Sequence, residues 1–259
     1  MPQARLDLIA DELLQREKDR RSGPRVTDLW GDLTLAQAYD VQGLLLRHKE
    51  ASDDPLVGVK LGLTSKPKQQ RMGIDSPLIA WLTSSMTIDD DFVNLDRLIH
   101  PRIEPEIAFV MGDVLAGTNV GPAEAMAAVA SVHAAFEVID SRFDNFDFTL
   151  SDVIADNASS ARFVLSNLGI DPSQLDLAEE PCTLSVDDVP VDSATGAAVL
   201  GHPGIALAFA ARDLAARGLT IQPGWIILTG GLTDAVPMEP GHTYAADFDT
   251  LGQVSVKAN

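Results

Sequence analysis

Arg102-Ile103-Glu104-Pro105-Glu106-Ile107-Ala108-Phe109-Val110 is the stretch from which the rest of the chain can be read. It alternates and then fills with apolar residues, the pattern of a strand buried on at least one face. On such a strand Glu104 and Glu106 point to the same side, roughly 6–7 Å apart at Cα. A third acid, Glu137, lies inside a second apolar run, Ala134-Ala135-Phe136-Glu137-Val138-Ile139, where an unpaired carboxylate would be costly to bury. Three converging carboxylates suit a hard divalent cation such as Mg²⁺ or Mn²⁺, whereas Zn²⁺ prefers His and Cys. The same residues also allow an exposed acidic edge at Glu104 and Glu106, with Glu137 paired to Arg142 or Arg162. Spacing alone leaves both readings open.

Outward from this strand the texture is mixed. Upstream, Leu6, Ile9 and Leu13 recur at helical spacing, which predicts an amphipathic helix over residues 4–20. Thr34 with Gln37 three residues on is a capping box. It opens a second helix running to about Glu50, after a polar turn at Arg20-Arg21-Ser22-Gly23-Pro24. From residue 56 strands dominate. Leu56-Val57-Gly58-Val59 is a short apolar strand, and Ser65 can cap a brief helix ending near Gly73. Residues 122–131 read as helix, 134–139 as strand, and 205–216 as an Ala/Leu helix stopped at Gly218. Residues 225–228 read as a buried strand, and a hairpin pairs residues 244–248 with 254–256. The fold class is therefore α+β: a mixed β core with peripheral helices. The predicted division is a helical N-terminal subdomain over 1–55 and a β-rich domain over 56–259.

Of the 259 residues, 46% are hydrophobic and 22% charged, so a packed core is available and disorder is excluded. The net charge of −19 disfavours nucleic acid and anionic membranes as partners. It does not bar a small anion met by a local positive charge. Residues 1–71 carry 12 bases and 11 acids, and residues 72–259 carry 7 and 27. The single cysteine, Cys182, reads as a packing residue in a reducing compartment. The first 25 residues lack an apolar signal core, and no run approaches the roughly 18 apolar residues of a membrane span. A cytoplasmic protein is the expectation.

Other residues with chemical potential are fewer. Lys60 closes the strand that begins at Leu56; it is either a snorkelling surface residue or a functional cation. The turn Thr229-Gly230-Gly231 either presents backbone amides to a carboxylate or merely turns. The five histidines show no metal-ligand spacing, and no phosphate-binding or dinucleotide-binding glycine motif is present.

Taken together, several blocks resemble the fumarylacetoacetate hydrolase superfamily, in its hydratase/decarboxylase branch. They are Gly58-Val59-Lys60-Leu61-Gly62-Leu63-Thr64-Ser65, Pro101-Arg102-Ile103-Glu104-Pro105-Glu106-Ile107, Glu137-Val138-Ile139-Asp140-Ser141-Arg142, Ala155-Asp156-Asn157-Ala158-Ser159-Ser160, Leu200-Gly201-His202-Pro203 and Leu228-Thr229-Gly230-Gly231. The resemblance implies a mixed β-roll core and a Mg²⁺ or Mn²⁺ held by Glu104, Glu106 and Glu137. It further implies Lys60 in the active site and substrate contacts from Ser159, Thr229 and Gly230.

Within the branch, hydratases tend to carry an acid where Leu78 stands and a Val-Gly-Ser-Arg string where Ile139-Asp140-Ser141-Arg142 stands. The run on to Phe146 is similar to the decarboxylases, although Ile79-Ala80 replaces their Tyr-Gly. The implied activity is metal-dependent decarboxylation of a 2-oxo-3-enedioate (4-oxalocrotonate) to 2-hydroxypenta-2,4-dienoate. The alternatives are hydration of that dienoate (2-keto-4-pentenoate hydratase) and acylpyruvate-type C–C hydrolysis. Hydrolysis would need a His–Glu pair on the helical segment, where only His48 and Glu50 stand near each other. A non-catalytic subunit stabilising a companion hydratase is a further reading. The partners expected are a small anionic 2-oxo acid, other copies of the chain, and such a hydratase.

Overall fold

The computed structural model describes residues 3–89 and 91–259. Three helices lead the chain: α1 (Gln3–Asp19), α2 (Val26–Trp30) and α3 (Leu35–Glu50). The capping box is present at the start of α3. Thr34 Oγ1 accepts from the Gln37 amide at 3.2 Å, and Gln37 Oε1 accepts from the Thr34 amide at 3.1 Å. Leu6, Ile9 and Leu13 of α1 meet Ala38, Val41 and Leu45 of α3 in one apolar cluster, which also takes in Leu78, Phe143, Val153, Ile154 and Ala155. The last three belong to a later helix, which with its neighbours is given next.

After α3 come β1 (Leu56–Gly62), α4 (Lys66–Met72), β2 (Leu78–Thr83), β3 (Phe92–Val93), β4 (Arg102–Met111), α5 (Pro122–Ala127), β5 (Val129–Ile139), α6 (Leu150–Ala155) and β6 (Ser160–Leu165). The chain continues with β7 (Pro181–Val186), β8 (Val189–Thr195), α7 (Pro203–Ala216), β9 (Ile226–Leu228), β10 (Val236–Pro237), β11 (Thr243–Phe248) and β12 (Gly252–Ala258). One sheet has the order β2-β1-β9-β4-β5-β6, with β10 also pairing β4; the other runs β3-β12-β11-β7-β8. Most neighbours are antiparallel, and β1–β9 and β12–β3 are parallel. Among the described residues no helix is long and apolar enough to cross a membrane.

The quoted stretch is β4, in the interior of the first sheet. Its odd-numbered residues Ile103, Ile107 and Phe109 join Phe136 and Val138 of β5 in the main core, together with Leu184, Tyr244, Ala246 and Val254 of the second sheet and Leu207 and Ala211 of α7. Strand alternation therefore turns Glu104 and Glu106 to the opposite face. There Ala108, Ala135, Phe163 and Leu228 form a small apolar floor. The β4–β5 register sets Glu104 directly opposite Glu137 and Glu106 opposite Ala135.

One predicted element ends early. The helix read over 122–131 stops at Ala127, and Val129 opens β5, paired with Met111. Ala and Met favour helix locally, but Val129 and Val132 are β-branched and buried in the main core. Sheet pairing wins over local propensity there.

The helical segment is tied to the rest of the chain by polar contacts as well. Buried Asp152 of α6 accepts from the amide and hydroxyl of Thr27 at 3.0 and 2.9 Å, and from those of Thr149 at 2.9 and 2.6 Å. Replacing Asp152 with Ala strands the buried Thr27 amide and the part-buried Thr149 amide, at about 1–3 kcal/mol for each buried group. Urea denaturation of Asp152→Ala is expected to show a loss of about 3 kcal/mol; an unchanged midpoint contradicts this role.

Candidate metal centre and active-site cavity

One oxygen each from Glu104, Glu106 and Glu137 lies within 4.8 Å of the others. Glu106 and Glu137 are 0% exposed and Glu104 8%, so the exposed acidic edge considered from sequence is not what the fold makes. Nor does Glu137 pair with Arg142 or Arg162. Its Oε2 accepts from Lys60 Nζ at 3.0 Å and its Oε1 from the Ser160 hydroxyl at 2.9 Å. Lys60 is 3% exposed, on a strand whose register places it beside Leu228 and Ala80, and so is not a snorkelling surface residue.

Glu106 is less well served. Its Oε2 accepts from the Gly230 amide at 2.7 Å, while its Oε1 is buried with no hydrogen-bond partner among the described residues. Burial pushes the Glu106 carboxyl well above its ordinary pKa, and the charges of Glu137 and Glu104 push the same way; the Gly230 amide and Lys60 offset only part of this. Glu137 is raised too, by burial, against the pull of Lys60. A buried, unsatisfied carboxylate oxygen among two further carboxylates is a donor set with room for a cation. All three donors are hard oxygens, which fits a hard divalent ion.

The backbone that frames these side chains is the segment after β9. It crosses β4 between the stretches paired with β9 and β10. The Thr229 amide and hydroxyl donate to Ile107 O at 3.2 and 2.7 Å, and the Leu232 amide donates to Pro105 O at 2.9 Å. Two glycines permit the approach. A Cβ on Gly230, whose φ is +116°, would lie 2.1 Å from Thr64 Oγ1, and a Cβ on Gly231 would lie 2.1 Å from Glu104 Oε2. Gly230 thus holds Glu106 through its amide, and Gly231 gives Glu104 its space.

Glu104 and Lys60 open on a cavity of about 620 Å³, also lined by Gly62, Leu63, Leu78, Arg102, Phe146, Phe148, Val153, Ala158 and Ser159. Leu78 and the segment around Phe146 both lie in its wall. Much of that wall is left-handed backbone without glycine: Leu63, Asn145, Phe146, Asn157, Ala158 and Ser159 have φ between 50° and 58°. Each such residue costs about 1–2 kcal/mol, somewhat less for Asn, and persists only where its surroundings impose it.

The pins at 157–159 are visible. The Asn157 side chain accepts from the Trp81 amide at 2.8 Å and donates to the Trp81 carbonyl at 2.9 Å. The Ser159 carbonyl accepts from the Asp140 amide at 2.7 Å. Asp156, pushed up to about 6 by burial despite its Arg142 partner, anchors the turn from behind. Ser159 is thereby presented to the cavity, whereas Thr229 and Gly230 stand behind Glu106.

Sequence reading assigned no role to Asn157, to the Arg142–Asp156 pair or to the clearance at Gly231. The quoted family blocks contain Asp156, Asn157 and Gly231, and that was their only signal. Each histidine has a partner within the fold. His133 bonds Ser131 and Ser166 O, His202 caps α7, His242 meets Asp187, and His100 bonds Ser141 O. His48 lies 3.8 Å from Asp11. Cys182 is buried, and burial raises its thiol to about 12, which leaves it a packing residue.

A model of the fumarylacetoacetate (FAA) hydrolase C-terminal family matches residues 57–257. The chain belongs to this family. It is 40% identical over 250 residues to the 4-oxalocrotonate decarboxylase of Pseudomonas sp. (strain CF600), covering 96% of this chain and 95% of that one. It is 35% identical over 255 residues to the 2-hydroxyhexa-2,4-dienoate hydratase of Comamonas testosteroni, covering 97% of each. Among solved structures, the 4-oxalocrotonate decarboxylase from Pseudomonas putida G7, complexed with magnesium and adipate, superposes with a TM-score of 0.97 at 36% identity over 100% of this chain and 99% of that one.

The clearance at Gly231 gives a direct test of the site. In Gly231→Ala the new methyl must displace the Glu104 carboxylate. Mg²⁺ affinity by calorimetry is expected to fall at least about tenfold with an unchanged circular dichroism spectrum; wild-type affinity contradicts the placement of Glu104.

Proposed function

We propose that this chain is a metal-dependent decarboxylase of 2-oxo-3-enedioates, converting 4-oxalocrotonate to 2-hydroxypenta-2,4-dienoate and CO₂. The observation that carries the reading is the buried Glu106 Oε1 without a partner, beside Glu104, Glu137 and Lys60 on a cavity walled by Leu78. Mg²⁺ or Mn²⁺, held by Glu104, Glu106 and Glu137, would supply Lewis acidity toward a 2-keto acid.

The chemistry sets what the chain's own residues must do. The bond between C5 and the C6 carboxylate breaks, and its electron pair becomes the C4=C5 double bond. The former C3=C4 pair moves to C2=C3, and the keto oxygen receives the charge and then a proton. Lys60 Nζ, 3.0 Å from Glu137 in the cavity wall, is the positive group set to stabilise that oxygen and to donate to it. Ser159, whose hydroxyl also reaches Asp156 Oδ2 at 3.4 Å, is the substrate contact offered by the wall, and the Thr229–Gly230 turn orients Glu106. Leu63, Leu78, Phe148 and Val153 keep that part of the wall apolar.

Leu78 also favours decarboxylation over hydration, because a hydratase must aim a water at the diene terminus and an acid at position 78 would serve that end. Acylpyruvate-type hydrolysis finds no support, since neither His48 nor Glu50 lines the cavity. We extend the reading to a cytoplasmic homo-oligomer able to pair with a companion hydratase. Exposed Leu8, Leu29 and Leu35 on the helical segment offer apolar surface for such contacts.

The test supplies 2-oxo-3-hexenedioate with Mg²⁺ and follows CO₂, against 2-hydroxypenta-2,4-dienoate followed for water addition. CO₂ release is expected, with at least about a hundredfold loss in Glu106→Gln and abolition by EDTA. Water addition without CO₂ release assigns a hydratase instead, and full activity in EDTA contradicts the metal.

A further inference from the structure

Among the described residues, Arg102 is a cation of the cavity wall that the scheme above leaves unused. It stands two residues before Glu104 on β4, so the two side chains leave the same face of the sheet about 6–7 Å apart at Cα. The Arg102 side chain is half-buried, and among the described residues no carboxylate lies within ion-pair distance of it. Its Cζ lies 4.3 Å from the centre of the Phe146 ring. Of the described cations near it, Lys60 is committed to Glu137, and Arg25 to Asp147 on the rim.

Arg102 is also built in. Phe146, itself in left-handed backbone, stacks on His100 with ring centres 4.8 Å apart. His100 is fixed by its amide, which donates to Asp140 at 2.8 Å, and by its ring contact with Ser141 O at 2.8 Å. The stack with Phe146 occupies the face of the guanidinium and leaves its N–H edge free, the arrangement that receives a carboxylate through two parallel hydrogen bonds.

We propose that Arg102 is the specificity-determining residue that receives the distal carboxylate of a dianionic 2-oxo acid, the keto-acid end of which lies at the Glu104–Glu106–Glu137 cluster. The inference rests on the decarboxylase reading for its substrate class. Arg102 and Glu104 line the same cavity, so one ligand held there can meet both. As CO₂ leaves, the negative charge travels toward the keto oxygen, away from Arg102. Arg102 therefore selects and orients the substrate and is not a catalytic residue.

Two non-reacting probes separate the possibilities: 2-oxoadipate, a dianion, and 2-oxohexanoate, a monoanion of the same chain length. Calorimetry in Mg²⁺ is expected to show the native chain binding the dianion at least about tenfold more tightly. Arg102→Met is expected to bind the monoanion as before and to lose the preference, with Arg102→Lys keeping part of it. If Arg102→Met retains the preference, or weakens both probes equally, the inference is overturned while the decarboxylase reading stands. If the native chain itself shows no preference, the dianionic substrate class falls, and the role of Arg102 falls with it. Circular dichroism of each variant separates these outcomes from misfolding.

Discussion

Everything around the cavity is organised by the burial of Glu106. Its carboxyl group is sealed from water, faces two other carboxylates, and has one oxygen with no donor. Such a group must either take up a proton or meet a cation. Lys60 cannot relieve it alone, because its ammonium is engaged by Glu137. The surrounding fold is arranged to keep this constraint in place. The β4–β5 register sets Glu104 against Glu137, the Gly230 amide holds Glu106, and the missing side chain of Gly231 lets the backbone lie against Glu104.

The second feature is strain placed around the cavity. Left-handed, non-glycine backbone at Leu63, Asn145–Phe146 and Asn157–Ser159 would relax if its anchors were removed. The anchors are distant in sequence: Asn157 to Trp81 in β2, Asp156 to Arg142, and Phe146 to His100. Held in this way, the wall presents Ser159, Leu78 and Arg102 at fixed places. The helical segment contributes by packing on α6, which leads directly into the turn that carries Asn157. Distant parts of the chain therefore meet in the shape of one pocket.

These relations divide what was legible in the sequence from what was not. Glu104 and Glu106 were readable because a strand has period two, and Glu137 because an acid in an apolar run needs a reason. Whether they formed a site or an exposed edge depended on burial, which only sheet order decides. Lys60 was ambiguous for the same reason, and its burial beside Glu137 excludes the surface role that the spacing left open. Asn157 and Gly231 act through partners or clearances that no local pattern encodes. The helix overrun at 128–131 has the same origin: local Ala and Met content favoured helix, and pairing with β4 imposed strand.

We infer that the buried three-glutamate cluster is completed by a divalent cation. It is tested most directly by thermal unfolding of metal-free protein across a Mg²⁺ titration, without any substrate. The expected result is a saturable rise in Tm, equivalent to about 2.7 kcal/mol of stabilisation at a hundredfold excess over Kd, and absent from Glu106→Gln. A native protein whose Tm is indifferent to Mg²⁺ and Mn²⁺, or a Glu106→Gln variant that responds as fully as the native chain, would contradict it.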